Sequence, residues 1–76
     1  MTTAEIKSII KKRPVSEINW ILNEFIHDAR NREITRRKLL QNEPYEPLSE
    51  EYNLTPRQCF NVVKECCKII VQHIQT

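Results

Sequence analysis

The chain contains no glycine in seventy-six residues. Glycine is the residue that takes positive φ without steric cost, so a sharp turn here must fall to Asn or Asp. That disfavours tight β-hairpins and leaves no glycine loop to cradle a phosphate or a dinucleotide. Helices joined by links containing Pro and Asn are the favoured solution. The length allows one domain, residues 1–76, with a modest core. No run approaches the roughly 20 apolar residues that span a bilayer. Residues 1–6 have neither a basic start nor an apolar signal core, so secretion is not expected. Three cysteines do not pair evenly, and reduced, buried thiols in a cytoplasmic protein are their simplest account.

The strongest periodic signal lies at the C-terminal end. Wound as a helix, residues 55–74 place Cys59, Val63, Cys66, Cys67, Ile70 and their apolar neighbours on one arc of roughly 200°. Arg57, Asn61, Lys64, Lys68 and Gln72 share the other face. An arc that wide predicts a helix set into the core with one polar strip left for solvent or a ligand.

Earlier in the chain, Thr2-x-x-Glu5 has the form of a capping box, and Ile6, Ile9 and Ile10 mark one face of a helix ending near Lys12. Pro14 stops it. Ser16 is the expected cap of a second helix, with Val15 as its hydrophobic staple. Ile18, Ile21, Leu22, Phe25, Ile26 and Ala29 share an arc, whereas Trp20 projects nearly opposite, beside His27. An indole there either packs on the first helix or meets another chain. With no proline or glycine to interrupt it, one helix from Ser16 to about Gln41 is favoured over a break near Asn31. Its continuation would carry Arg32 and Arg36 onto the apolar arc before Leu39 and Leu40 return to it. Residues 42–47, with Pro44 and Pro47, form the clear linker. The architecture expected is therefore an all-α domain, a small bundle of three to four helices near 3–12, 16–41, 47–52 and 55–75.

The net charge of +2 excludes little, but its distribution is uneven. Arg30, Arg32, Arg36, Arg37 and Lys38 face one acid, Glu33, and Glu43, Glu46, Glu50 and Glu51 follow at once. Such blocks are either solvated segments of opposite sign or a basic edge that meets phosphate.

Residues 48–62, Leu-Ser-Glu-Glu-Tyr-Asn-Leu-Thr-Pro-Arg-Gln-Cys-Phe-Asn-Val, resemble the helix-turn-helix of DNA-binding proteins. Leu48 and Tyr52 fit the inner face of its first helix, Leu54 the inside of the turn, and Cys59 and Val62 the contact of the second helix with the first. Asn53 stands where the family usually has glycine. Thr55 and Pro56 suit the start of a recognition helix. The resemblance implies a small DNA-binding regulator whose partner is double-stranded DNA. Thr55, Arg57, Gln58 and Asn61 would read bases, and Arg30, Arg36, Arg37, Lys38, Lys64 and Lys68 would contact phosphates. By analogy, a compact, charged, glycine-free chain suits a phage or mobile-element product. The alternative is a helical interaction module that binds itself or a larger protein, without DNA, through Trp20 with His27 or through Leu39 and Leu40. A homodimer suits both readings.

No catalytic constellation is legible. His27 and Asp28 are sequence neighbours and diverge on a helix, and Cys59 has no histidine at a fixed spacing. Vicinal Cys66 and Cys67 point about 100° apart and, with Cys59 and His73, lack the paired spacing of a zinc site. Neither enzyme activity, a small-molecule substrate, a metal nor another cofactor is expected.

Overall fold

The computed structural model describes residues 3–74, so Thr2 of the expected first cap lies outside the described residues. Five α-helices follow one another: α1 Thr3–Lys11, α2 Val15–Phe25, α3 Ala29–Gln41, α4 Tyr45–Glu51 and α5 Pro56–Ile74. The all-α class is as expected and no strand occurs among the described residues. The helix count exceeds the expected three to four because residues 16–41 form two helices, not one.

The break has a physical cause. Ile26 leaves helical space at φ −106°, ψ 100°, and Asp28 caps α3 by accepting from the Asn31 N–H at 3.0 Å. A continuous helix would have buried Arg32 and Arg36 in the core, and an uncompensated buried guanidinium is far costlier than a few lost backbone bonds. The Arg32 guanidinium instead donates to the freed Ile26 carbonyl at 3.2 Å. Ile26 and Ile34, on either side of the break, are both buried.

Two other starts differ from expectation. Pro14, not Ser16, occupies the cap position of α2 and makes no side-chain bond there, and Val15 is 58% exposed where a staple would be covered. The α4 helix begins at Tyr45, which places Pro47 in its first turn. A proline is tolerated there because the missing N–H has no helical partner to lose.

The α5 helix packs against each of the other four. Its buried residues Cys59, Val63, Cys66, Cys67, Ile70 and Val71 meet Ile6 and Ile10 of α1, Ile18, Ile21 and Leu22 of α2, Ile34 of α3 and Leu48 of α4 in one cluster. Each fully buried aliphatic side chain contributes about 1.5–3 kcal/mol to the core. Ser49 is buried too, and its hydroxyl donates to the Glu46 carbonyl at 2.8 Å. Thr35 is fully buried with no hydrogen bond of ordinary geometry, its hydroxyl lying against the Cys66 thiol. No helix among the described residues is long and apolar enough to cross a membrane.

Candidate nucleic-acid interface

The link between α4 and α5 is built almost wholly from local hydrogen bonds. Asn53 takes φ 57°. With that residue left-handed, the Asn53 N–H donates to the Glu50 carbonyl at 3.2 Å and the Leu54 N–H to the Ser49 carbonyl at 2.8 Å. This pair of bonds closes the end of α4 as a Schellman turn. Two residues later the Thr55 hydroxyl accepts from the Gln58 N–H at 3.1 Å, and the Gln58 side-chain oxygen accepts from the Thr55 N–H at 2.9 Å. That reciprocal capping box opens α5. Leu48 and Cys59 are buried between the two helices, while Tyr52, Leu54 and Val62 pack at the edge of the core.

The first turns of α5 bury Cys59 and Val63 and turn their opposite face to solvent. Thr55, Arg57, Gln58, Asn61, Lys64 and Lys68 are all exposed. They are not equally available. Thr55 and Gln58 each use an acceptor oxygen in the cap, so the Gln58 oxygen would have to share itself between the cap and an adenine edge. The side chains of Arg57, Asn61 and Lys64 make no hydrogen bond or ion pair among the described residues. Lys68 lies 3.5 Å from Glu65, with half of its side chain exposed.

The basic run 30–38 is placed differently. Arg30 is exposed and bonds only the neighbouring Asn31 side chain. Arg36 is drawn back over α2, donating to Asn19 and Asn23 at 3.0 Å each and pairing with Glu33. Arg37 grips Glu43 through Nε and Nη2 at 2.7 and 2.8 Å and also pairs with Glu51, the last residue of α4. The Glu43 carboxylate, and then that of Glu51, raise the Arg37 pKa, and Arg37 in turn holds Glu43 below the usual carboxylate range. Lys38 sits 4.2 Å over the Tyr45 ring and donates to the Glu43 carbonyl at 3.1 Å. Three of the cations expected to contact phosphate are thus tied into the fold, and Arg37 fixes the position of α4.

Three further lysines lie near the polar strip of α5. Lys7 of α1 lines a small groove together with Lys64 and Lys68 of α5. Lys11 and Lys12 border the adjoining surface with Lys7. The spacing of Lys7 and Lys11 marks one helical face, but nothing in the sequence sets that face beside α5.

The residues of the alternative interface differ in exposure and packing. Trp20 is 57% exposed and meets Phe25 edge to face at 5.8 Å, and Phe25 stacks on His73 at 3.5 Å. His27 is exposed in the link after α2. Leu39 and Leu40 are half-buried against the core at the other end of the neighbouring helix, in a hollow of about 290 Å³ with Ile10, Val15 and Ile18.

The three thiols are free and buried. Burial pushes each of them up, Cys67 to about 11, and the Thr35 hydroxyl opposes this at Cys66. Among the described residues no three His, Cys, Asp or Glu side chains converge as a metal-binding group. Fold and surface together define an all-α five-helix globule with an exposed, partly basic helix face. Compared with known protein families, curated proteins and solved structures, the chain matches none.

Proposed function

We propose that the chain is a small DNA-binding regulator of helix-turn-helix type, with α4 and α5 as its two helices and the opening turns of α5 entering the major groove. One observation carries this reading. Arg57 and Asn61 stand exposed and unpaired one helical turn apart, immediately behind a turn held rigid by Asn53 and the Thr55–Gln58 cap. Arg presents two donors to guanine, and Asn a donor and an acceptor to adenine, so these two are the base-reading pair. Thr55 and Gln58 then serve chiefly to aim the helix. Lys64 and Lys68 lie farther along the same face and would meet phosphates, fixing register without reading sequence.

The test is selection of a preferred duplex from a random pool, followed by binding at two ionic strengths. The expected result is affinity that falls steeply with salt, and loss of about 1–3 kcal/mol of base discrimination in Arg57→Ala and Asn61→Ala. Enrichment of no sequence, with equal affinity for both variants and the parent, would remove the reading.

The exposure of Trp20 favours a second reading, a helical module that binds itself or a larger protein. Association through that indole would tolerate salt and shift its emission to the blue. Trp20→Ala would abolish it and leave DNA affinity unchanged.

A further inference from the structure

We propose that α1 is a second phosphate-holding element, with Lys7, Lys11 and Lys12 gripping duplex DNA alongside Lys64 and Lys68. The assignment rests on the DNA-binding reading and names where its backbone contacts come from. Lys7, Lys64 and Lys68 rim a single groove floored by Ile6, Phe60 and Val63. The next surface hollow holds Lys7, Lys11 and Lys12, with only Ala4 and Ser8 between them. Five ammonium groups therefore run from the outer strip of α5 across to the C-terminal end of α1. Of these, Lys68 alone has an ion-pair partner among the described residues, Glu65 at 3.5 Å. Glu5 is the one carboxylate of α1.

Like charges crowded on one face repel, and an extended polyanion relieves that repulsion better than a point anion does. Duplex DNA offers one charge per roughly 1.7 Å of axis, so a row of lysines finds successive phosphates. The dipole of α1 accounts for cations at its C-terminal end, Lys11 in the last turn and Lys12 just beyond it. It does not account for Lys7, a full turn earlier and beside two lysines of another helix. The displacement of the clamp to α1 also fits the fate of Arg36, Arg37 and Lys38, which are engaged inside the fold.

The experiment is fluorescence anisotropy of the full chain with a labelled random-sequence duplex, titrated with KCl. Each lost phosphate contact lowers the slope of log affinity against log salt by about 0.9. Lys7→Gln, Lys11→Gln and Lys12→Gln combined should make that slope shallower by about 2–3, while the corresponding triple Arg variant keeps it. Lys7→Gln alone, which keeps both lysines of the helix end, should remove about 1. An unchanged slope in the glutamine variants overturns the assignment, as does an equal loss in the arginine variant, which would mark a structural role. If the unmodified protein shows no salt-dependent binding, the DNA-binding reading itself falls; if it binds and only the slope of the variants fails to move, α1 alone is excluded.

Discussion

At the scale of single residues, two asparagines do the work that glycine does elsewhere. Asn42 and Asn53 are the described residues with positive φ, at 53° and 57°. A side chain with a Cβ pays roughly 1–2 kcal/mol in that conformation, less for Asn, whose amide bonds locally. Asn53→Ala should therefore lower stability by about 1 kcal/mol, and Asn53→Gly should not; chemical denaturation of the two variants checks it. Thr35 makes the opposite case. Its buried hydroxyl has no well-formed bond, so Thr35→Val should leave stability unchanged or raise it by about 1 kcal/mol. A loss of that size instead would mean that the contact with Cys66 is a true hydrogen bond.

The thiols give a pH dependence with a definite sign. Folded Cys67 titrates near 11 against an ordinary 9.0, so the native state retains a proton that the unfolded state releases. Its contribution is whole below about pH 9 and is lost as pH rises towards 11, amounting to roughly 2–3 kcal/mol. Denaturant melts across that range should show stability falling, and Cys67→Ser, which replaces the thiol with a group that does not titrate there, should flatten the fall. Below pH 9 an alkylating reagent should modify the three cysteines only as fast as the chain opens.

Among the elements, the α4–α5 pair depends on a clasp outside it. Arg37 joins α3, the linker residue Glu43 and the end of α4. Arg37→Met keeps the stem and removes the fork, and should loosen α4 before the rest. Amide exchange would then quicken for residues 45–53 while the amides around Ile70 stay protected. Glu43, held low by Arg37, contributes to the clasp above the usual carboxylate range and loses that contribution as pH falls through its lowered pKa. The caps act more locally: Asp28→Ala should cost about 1 kcal/mol by exposing the N-terminus of α3.

For the whole molecule, charge is divided between structure and surface. Arg36 and Arg37 hold helices together, while Lys11, Lys12, Lys64 and Lys68 are exposed and Lys7 is half-buried. Lysine keeps its charge hydrated and mobile, whereas the planar guanidinium forms the fixed, two-pronged bonds that a clasp requires. The proposed function therefore makes a prediction at this scale: Arg37→Met should reduce DNA affinity through disorder of α4, with a salt slope like that of the parent, whereas the α1 lysine variants should change the slope.

The sequence alone determined the helical class, the extent of α5, its buried arc, the left-handed turn at Asn53 and the cap at Thr55. All of these are set within a few residues, by side-chain periodicity, by the absence of glycine and by bonds between near neighbours. It did not determine the break at residues 26–28, because the penalty that forces it, two guanidinium groups entering a core, exists only once α5 is present to make that core. Nor could it separate the cations that tie helices from those that remain outside, since both recur at helical spacing. Which cation finds a carboxylate 6 or 14 residues away, as Arg37 does, is decided by how the helices pack.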